Sequence, residues 1–475
     1  MYVEQLYTGC LAEAAYYIES NGEAAIIDPL RETEPYLALA KERNAKIKYV
    51  FETHFHADFV SGHIDLAKDA NATIVFGPGA QPSYSAYVAS DSELFTIGKI
   101  QIKILHTPGH TMESTTFLLL DESGKEHAIF TGDTLFIGDV GRPDLAIKTN
   151  LTREDLAGHL FGSLQHKILP LPDEVIVYPG HGAGSQCGKN MSKETTSTLG
   201  EQKRFNYALQ PMSKEQFVEA VTDGLSDPPA YFPENARINK AGYSNINKIM
   251  QRNLKPLKIE AFEEEFAAGA VILDTRHQDI YEKGSLPNSL NIGLDGQYAV
   301  WVGTLINFGQ PLVLVTEPGK EEESVLRLAR VGFENVKGYL AGGVKSWEKA
   351  GKKLEKVVSI TTAEAAQLID NGIPTLDVRN NTETQTEHVK DTLNIPLKDL
   401  RDSMGQIDKN QEYVLFCAGG YRSMIAASIL KSSGIYKVKN VYGGFNALRE
   451  EDKLELIAGK CPNQIRQEKL DSLST

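Results

Sequence analysis

The stretch Thr53-His54-Phe55-His56-Ala57-Asp58-Phe59-Val60-Ser61-Gly62-His63 decides how the first half of this chain is interpreted. It follows an apolar run at 47–51, which predicts a buried strand. The histidines therefore lie where a strand gives way to a loop, and α/β proteins build their sites at such points. Imidazole and carboxylate groups buried together need partners, which either a metal ion or a closed hydrogen-bond cluster supplies.

The rest of the first 210 residues alternates apolar runs with helical stretches, a pattern that predicts a layered α/β architecture. The runs cover 24–27, 50–51, 100–105, 116–120, 128–131 and 175–178, and the helical stretches include 34–44 and 153–164. Three later runs end in polar turns: Thr107-Pro108-Gly109-His110-Thr111, Thr131-Gly132-Asp133-Thr134-Leu135-Phe136 and Tyr178-Pro179-Gly180-His181-Gly182. We expect the side chains at these strand ends to cluster at one edge.

A set of two histidines and one carboxylate emerges from these turns: His54, His110 and Asp133. Such a set suits non-haem Fe(II) and leaves coordination positions open for O₂ and a substrate, although zinc accepts similar ligands. We interpret the remaining polar residues as groups that orient the ligands through hydrogen bonds: His56, Asp58 and His181.

The first motif resembles the His-x-His-x-Asp-His signature of the metallo-β-lactamase superfamily, with Phe59 at the sixth position. In the dinuclear members of that superfamily, the aspartate and the last histidine hold a second metal. An apolar ring at this position therefore indicates a single metal.

The segments Gly138–Asp144 and Tyr178–Gly188 resemble persulfide dioxygenases, the mononuclear-iron branch of the same superfamily, and the resemblance extends from residue 1 to about residue 250. It implies that His54, His110 and Asp133 hold iron and that a low-molecular-weight persulfide is oxidised by O₂ to sulfite and thiol. It also implies that Arg142 and Tyr178 face the thiol carrier, with help from Arg204. A guanidinium suits a carboxylate-bearing carrier such as glutathione, and a surface ion pair is the alternative role for Arg142.

Cys187 lies among glycines in the loop after the last of these strands. A structural, partly buried thiol is the default for a single cysteine. Its place near the expected persulfide channel makes sulfur relay a hypothesis.

The second half of the chain contains an internal repeat. Residues 272–276, Ile-Leu-Asp-Thr-Arg, recur as Thr-Leu-Asp-Val-Arg at 375–379, and two further pairs of segments keep a spacing of 101 to 103 residues. Two homologous domains are the simplest explanation.

In the second copy, Cys417 lies between a predicted strand at 413–416 and a predicted helix at 423–431. The helix dipole and converging backbone N–H groups stabilise a thiolate or a bound anion there, and the thiolate is the reactive form. This loop and its flanks resemble rhodaneses, which carry sulfane sulfur as a cysteine persulfide. The resemblance implies that Cys417 is the nucleophile, that Arg422 helps to hold thiosulfate or sulfite, and that the anion loop comprises Ala418, Gly419, Gly420 and Tyr421. In the first copy Thr316 takes the cysteine's position, which predicts an inactive domain.

Composition restricts the partners and the compartment. A net charge of −14 opposes binding to nucleic acid and to anionic lipid, and no apolar run approaches the length of a membrane span. Four widely spaced cysteines and the lack of a secretory signal at Met1–Leu6 favour a reducing, cytoplasmic location. The Pro-rich stretch Asp227–Tyr243 predicts an irregular connection packed along the surface.

We therefore predict an α/β chain with three domains: a metallo-β-lactamase αββα sandwich at 1–255, a rhodanese-like domain without the catalytic cysteine at 256–352, and a catalytic rhodanese domain with a C-terminal tail at 353–475. The expected cofactor is one Fe(II) per chain, with O₂ as co-substrate. The expected small-molecule partners are a thiol persulfide, carried by glutathione, coenzyme A, bacillithiol or another thiol, and thiosulfate or sulfite. The family resemblance also suggests a homo-oligomer. The alternatives are a two-metal thioester hydrolase of the glyoxalase II type and a non-catalytic sulfur carrier or sensor.

Overall fold

The computed structural model describes residues 1–145, 151–189, 191–225 and 227–459. They form two compact units, of which the first contains Met1–Met250 with Leu326–Glu334 and the second contains Gln251–Val325 with the chain from Asn335 onward. Cys461, one of the four cysteines, lies outside the described residues.

In the described part of the chain, the first unit contains twelve strands, six complete helices and most of a seventh helix, α7, whose last three residues belong to the second unit. The strands are β1 (Tyr2–Thr8), β2 (Glu13–Ser20), β3 (Glu23–Ile27), β4 (Lys46–Glu52), β5 (Thr73–Phe76), β6 (Tyr87–Val88), β7 (Leu94–Ile97), β8 (Ile100–His106), β9 (Thr115–Leu120), β10 (Glu126–Gly132), β11 (Ile176–Pro179) and β12 (Ser197–Thr198). The helices are α1 (Glu34–Glu42), α2 (His63–Ala70), α3 (Arg153–Ser163), α4 (Leu199–Phe205), α5 (Lys214–Thr222), α6 (Phe232–Ala241) and α7 (Ile246–Asn253). A π-helical turn at Leu164–Ile168 continues α3, and a 3₁₀ turn covers Tyr207–Leu209.

Two six-stranded sheets form the centre of this unit, in the orders β1-β2-β3-β4-β5-β6 and β12-β11-β10-β9-β8-β7. Alternate residues of each strand point to opposite faces, so one set fills the space between the sheets. Tyr16, Phe51 and Val75 of the first sheet pack there with Phe117 and others of the second.

The outer face of each sheet is covered by helices. Tyr17 and Val50 on the first sheet share a core with residues of α1 and α2, including Tyr36 and Leu66. On the second sheet, a larger core joins β8 to β11 with α3, α4 and α5. The unit is thus a four-layered αββα sandwich, as the sequence predicts.

One segment differs from its prediction. Asp227–Tyr243 is not irregular throughout, because α6 occupies Phe232–Ala241 and buries one face. Its proline, Pro233, lies in the first helical turn, where the missing N–H has no intrahelical partner to lose. A Pro-rich composition therefore signals a helix start here as well as a loop.

The second unit contains twelve strands in its described residues, together with helices α8 to α16. The strands are β13 (Pro256–Leu257), β14 (Val271–Asp274), β15 (Leu290–Asn291), β16 (Leu312–Val315), β17 (Val336–Leu340), β18 (Val358–Ile360), β19 (Thr375–Asp377), β20 (Glu387–Val389), β21 (Leu393–Asn394), β22 (Tyr413–Phe416), β23 (Val438–Val441) and β24 (Leu456–Ala458). The helices are α8 (Ile259–Ala267), α9 (Gln278–Tyr281), α10 (Tyr298–Leu305), α11 (Glu321–Ala329, whose last turn belongs to the first unit), α12 (Gly343–Lys349), α13 (Thr362–Asp370), α14 (Asn381–Thr386), α15 (Tyr421–Ser432) and α16 (Gly444–Leu448). Two 3₁₀ turns cover Leu397–Asp399 and Met404–Gln406.

Two five-stranded parallel sheets repeat the same topology, β13-β17-β16-β14-β15 and β18-β23-β22-β19-β21. The repeat extends to side chains, because Arg276 pairs with Asp274 at 2.6 Å and Arg379 pairs with Asp377 at 2.7 Å. Both copies are rhodanese-like α/β domains, as predicted. No helix in the described part of the chain is long and apolar enough to cross a membrane.

Candidate active sites

Six polar side chains converge from four strand ends of the first unit. They follow β4, β8, β10 and β11, and all six are buried: His54, His56, Asp58, His110, Asp133 and His181. The strands deliver these side chains to one region because their ends meet at the same edge of the sandwich.

Two glycines permit this close approach. A Cβ atom on Gly132, whose φ is +47°, would lie 2.5 Å from Thr53 Oγ1. A Cβ atom on Gly180 would lie 2.8 Å from Asp133 Oδ1. Any side chain at either position would push the strand ends apart.

Three of the six residues form a candidate metal centre. The ligating atoms of His54, His110 and Asp133 lie within 4.8 Å of one another. His54 Nε2, His110 Nε2 and both Asp133 oxygens are buried and have no hydrogen-bond partner among the residues that the structure describes. Buried polar atoms are normally paired, so this orphaned set of two imidazoles and one carboxylate fits a metal ion.

Hydrogen bonds on the far side of each imidazole aim these nitrogens. His110 Nδ1 lies 2.9 Å from the carbonyl oxygen of Arg142, so it donates there and leaves Nε2 as the acceptor. His54 Nδ1 lies 3.0 Å from Thr53 Oγ1, which itself donates to Asp28 Oδ2 at 2.8 Å. Burial, followed by the positive charge of His56, holds the pKa of His54 well below its usual value, so its imidazole stays neutral. A neutral imidazole is the form that binds metals.

The other three residues form a second set beside the first. His181 Nε2 lies 3.3 Å from Asp58 Oδ2 and 3.5 Å from Asp133 Oδ1, and its Nδ1 contacts the carbonyl of Ala12 at 3.1 Å. The structure therefore links the two sets directly through the Asp133 carboxylate.

His56 lies next to two acidic side chains. Its Nε2 lies 3.1 Å from Asp28 Oδ1 and 3.6 Å from Glu52 Oε2. Burial opposes a charged imidazole, but Asp28 and then Glu52 raise the pKa of His56 to about 10. His56 is therefore an imidazolium near neutral pH, which makes it an ion-pair partner more readily than a metal ligand.

Phe59 closes the position where a further ligand would lie. Its ring is fully buried and lies against the His56 ring, with centroids 4.3 Å apart and an interplanar angle of 35°. An apolar ring offers no ligand atom, so the second set lacks the histidine that its motif would otherwise supply.

Cys187 lies close to the metal centre. Its sulfur is within 4.8 Å of ligand atoms of Asp133 and His181. Burial, followed by the negative charges of Asp58 and Asp133, raises the pKa of the Cys187 thiol well above its usual value. The thiol is therefore protonated in this arrangement, and sulfur relay through it stays a prediction.

The three predicted carrier contacts lie in different surroundings. Arg142 is buried, and its guanidinium forms a two-point ion pair with Asp144 at 2.6 and 2.8 Å. Tyr178 packs with Phe130, at a ring separation of 5.1 Å, and Arg204 is exposed. Roles for these three residues in binding the thiol stay predictions, and the contacts of Arg142 show that it also braces the loop whose carbonyl orients His110.

Asn239 supports the candidate site and was missed by the sequence analysis. From α6 its Nδ2 donates to the carbonyl oxygens of His56 and Phe59, both at 2.8 Å, while its Oδ1 accepts from the backbone N–H of Ser61 at 3.0 Å. A single amide thus fixes the backbone of the His56–Ser61 loop. Its only sequence signal is that it lies at a buried position of an amphipathic helix.

We expect Asn239→Ala to destabilise the protein by about 3 kcal/mol or more, because three buried backbone groups lose their partner. In a unit of this size, that loss lowers the Tm by about 6–12 °C. Differential scanning calorimetry of the metal-loaded protein measures the shift. Asn247→Ala, at an exposed position of α7, is the matched control and should leave the Tm unchanged. An equal Tm for both variants would show that Asn239 does not hold the loop.

The second unit carries a separate site around Cys417. This residue follows β22 and lines a pocket of about 380 Å³ together with Gly296, Gln297, Trp301, Gly419, Tyr421 and Arg422. The loop turns through Gly420, whose φ is +106°, into the N-terminus of α15. The backbone N–H of Gly420 donates to Cys417 Sγ at 3.1 Å, so the loop stabilises electron density on the sulfur.

The guanidinium group of Arg422 is paired with a carboxylate. It forms two hydrogen bonds with Glu383, at 2.6 and 2.7 Å. Burial disfavours the charged form, but Glu383 and then Cys417 raise the pKa of Arg422. The pocket wall therefore carries a neutralised ion pair where the sequence predicts a cation ready for thiosulfate.

In the first copy, Thr316 follows β16 as Cys417 follows β22. The backbone N–H of Thr275 donates to Val315, and that of Val378 donates to Phe416, at 2.9 and 3.0 Å. The two loops thus leave equivalent strands, and the first has no thiol at this point.

The fold and the two sites define the class of the protein: a metallo-β-lactamase sandwich with a buried metal centre, joined to rhodanese-like domains. Residues 8–181 match the metallo-beta-lactamase superfamily, and residues 258–350 and 361–451 match the rhodanese-like domain. The chain belongs to the metallo-β-lactamase superfamily and is a fusion of that domain with two rhodanese-like domains.

The relatives of the first half of the chain are named as two different enzymes. The chain is 32% identical over 228 residues to a probable hydroxyacylglutathione hydrolase of Schizosaccharomyces pombe, covering 43% of this chain and 83% of that protein. It is also 32% identical over 203 residues to the human mitochondrial persulfide dioxygenase ETHE1, covering 42% of this chain and 71% of that protein.

A longer similarity is found with a solved structure, a metallo-beta-lactamase from Staphylococcus aureus. The two chains have a TM-score of 0.64 and 30% sequence identity, over 72% of this chain and 98% of that one. The likeness therefore extends beyond the metallo-β-lactamase domain into the rhodanese-like part of the chain.

Proposed function

We propose that the first unit oxidises the persulfide of a low-molecular-weight thiol at a single Fe(II). The balanced reaction is RSSH + O₂ + H₂O → RSH + SO₃²⁻ + 2 H⁺. The outer sulfur loses four electrons and O₂ gains them, so no further reductant is required. Similarity to a persulfide dioxygenase supports this reaction, and similarity to a hydroxyacylglutathione hydrolase supports a small thiol compound as the substrate.

The observation that carries this proposal is the asymmetry between the two sets of polar residues. Both sets contain buried ligand atoms without a hydrogen bond, but in the second set His56 lies in an ion pair with Asp28 and Phe59 fills the sixth motif position. A single facial triad suits non-haem iron. When bound, a ferrous ion supplies the redox chemistry that lets O₂ react with a persulfide.

The residues of the chain provide orientation and seclusion. Arg142 and Thr53 hold the two imidazoles, and Asn239 holds the loop that follows His54, so the ligands are oriented before substrate arrives. Such pre-organisation removes much of the entropic cost of bringing reactants together. The low exposure of all six polar residues excludes bulk water.

Metal content and O₂ consumption test the proposal together. Purified protein reconstituted anaerobically with Fe(II) should bind one iron per chain. It should take up one O₂ and release one sulfite for each glutathione persulfide or coenzyme A persulfide consumed. Protein that is saturated with iron yet takes up no O₂ with either persulfide contradicts the proposal.

We expect Phe59→His to add a second metal site, because it puts an imidazole where the Phe59 ring now lies against His56. Zinc titration followed by inductively coupled plasma mass spectrometry should show two zinc ions per chain in this variant and one in the wild type. Phe55→His, in the same loop, is the matched control and should keep a single zinc. If the wild type already binds two zinc ions, the argument from Phe59 is wrong.

A second candidate function is thioester hydrolysis at a two-metal site. It is favoured by one observation: ligand atoms of His56, Asp58 and His181 also lie within 4.8 Å of one another. The zinc-loaded protein would then hydrolyse S-lactoylglutathione without O₂. Hydrolysis by the zinc protein, with no O₂ uptake by the iron protein, would favour this alternative.

We further propose that Cys417 transfers sulfane sulfur by covalent catalysis. Sulfur transfer can run in two directions, and atoms and charge balance in both. The Cys417 persulfide anion can react with sulfite to give the Cys417 thiolate and thiosulfate, or the thiolate can take sulfur from thiosulfate and release sulfite. A third view, in which Cys417 only stores sulfur, predicts stoichiometric loading without repeated turnover.

We expect Glu383→Gln to lower the KM for thiosulfate by about 5- to 10-fold, because Arg422 gains an unneutralised charge facing the pocket. Steady-state assays of thiosulfate consumption with cyanide as acceptor measure this change. Glu450→Gln is the matched control, since Glu450 is largely exposed. A higher KM in Glu383→Gln would show that the ion pair instead shapes the loop for anion binding.

A further inference from the structure

Helix α6 presents a row of polar side chains on one buried face. Tyr231, which precedes the helix, Asn235 and Asn239 are spaced four residues apart, and this spacing places them on one side of a helix. Their exposed fractions are 2%, 0% and 1%. Because Asn239 binds the His56–Ser61 loop, this face of the helix points toward the metal centre.

Asn235 is the unusual member of the row. Both its Oδ1 and its Nδ2 are buried, and neither has a hydrogen-bond partner among the residues the structure describes. An unpaired buried amide costs about 1–3 kcal/mol. Apolar side chains of similar size would avoid that cost, so the amide at this position needs an explanation other than packing.

The neighbours of Asn235 show where its amide lies. One turn later, Asn239 contacts the backbone of the metal loop at 2.8 Å. One turn earlier, Tyr231 is buried at the start of the same helix face, and burial raises the pKa of its phenol, which therefore keeps its proton. Asn235 therefore lies between the metal loop and a neutral hydroxyl donor.

The charges in this region determine which ligand such groups can serve. Asp58 and Asp133 are carboxylates, and the nearby Arg142 is already neutralised by Asp144. A sulfur oxyanion formed at the metal centre would meet repulsion from the Asp58 carboxylate, and the guanidinium of Arg142 is already paired. Neutral N–H and O–H donors can hold its oxygen atoms by hydrogen bonds.

We propose that the Asn235 amide and the Tyr231 hydroxyl form the subsite that binds the oxygen atoms of sulfite as it forms and before it leaves. This inference rests on the proposed oxidation of a persulfide to sulfite. The subsite contacts the oxidised sulfur and not the thiol carrier, so it acts equally on every persulfide that the enzyme accepts.

Asn235→Leu tests the subsite, because leucine has a similar size and removes the unpaired amide. With the iron-loaded full chain, we expect kcat/KM for O₂ uptake to fall by about 10- to 100-fold. The inhibition constant of added sulfite should rise by about 10-fold or more. Tyr231→Phe should change both quantities in the same direction by about 10-fold. Iron content should not change, and the Tm of Asn235→Leu should be equal to or above that of the wild type.

Two further measurements separate this role from others. The loss should be the same with glutathione persulfide and coenzyme A persulfide, whereas a contact with the carrier would reduce turnover of only one. Lys240→Gln, at an exposed position of the same helix, should leave every quantity unchanged.

Several results would overturn the subsite. These are an unchanged sulfite inhibition constant in both variants, a loss confined to one carrier, and a fall in Tm and iron content that parallels the fall in activity. A wild-type enzyme that takes up no O₂ overturns the proposed function as well. An active wild type with unaffected variants overturns the subsite alone.

Discussion

His110→Ala is expected to abolish O₂ uptake with a persulfide while leaving sulfur transfer at Cys417 intact. The variant removes one of three ligands, and His110 is fully buried with its Nδ1 already committed to Arg142. A loss of about 4 kcal/mol of transition-state stabilisation corresponds to a rate loss on the order of 1,000-fold. An oxygen electrode and a thiosulfate assay on the same preparation measure the two activities.

A matched control and a second variant guard this prediction against misfolding. His159→Ala replaces an exposed histidine of α3 and should retain full O₂ uptake and one iron per chain. His110→Gln keeps a polar side chain of similar length and should lose iron with little change in Tm. If His110→Ala binds iron as tightly as the wild type does, His110 is not a ligand and the triad is wrong.

The location of this site could be predicted because apolar runs in the sequence mark where strands end. The apolar runs before His110, Asp133 and His181 correspond to β8, β10 and β11. Polar residues directly after such runs meet at one edge of a layered α/β unit, whatever their separation along the chain. The residue types then indicated a metal, and the structure brings the same six side chains together.

Strands with weak apolar signals were not predicted. Residues of β1 (Tyr2–Thr8) are only partly buried at the sheet edge, so no continuous apolar run marks this strand. Most of β2 (Glu13–Ser20) is buried, but alanines and tyrosines between two glutamates give it little hydrophobic contrast. Edge position and residue size, which only packing reveals, decide both cases.

Partners far apart in the sequence could not be predicted. Nothing near His56 shows that Asp28 converts it into an ion-pair partner, and nothing near Arg422 shows that Glu383 neutralises it. Ion pairs depend on distances of a few ångströms, whereas sequence patterns resolve only the element on which a residue lies. Charges expected to face a substrate are therefore the least secure part of a prediction from sequence.

In the rhodanese-like half, the internal repeat in the sequence corresponds to equivalent backbone contacts in the two copies. In both copies an asparagine donates to the backbone of the Asp–Arg turn: Asn291 to Arg276 and Asn394 to Arg379, each at 3.0 Å. The scaffold is the same in both copies, so the difference between Thr316 and Cys417 is one of chemistry and not of fold. Activity in this half of the chain is then expected to depend on one sulfur atom.

Cys417→Ser is accordingly expected to reduce thiosulfate formation or consumption by more than about 1,000-fold, because a hydroxyl forms no persulfide and is a far weaker nucleophile. The fold should survive, since serine can accept the Gly420 N–H that now lies 3.1 Å from Cys417 Sγ. With glutathione persulfide supplied directly, O₂ uptake should equal that of the wild type, and mass spectrometry should show no added sulfur atom on the residue-417 peptide. Cys10→Ser, which replaces a partly exposed thiol of the first unit, should transfer sulfur normally. Sulfur transfer that persists in Cys417→Ser would place the carrier thiol elsewhere in the chain, because the structure shows no second cysteine in this loop or in its Thr316 counterpart among the described residues.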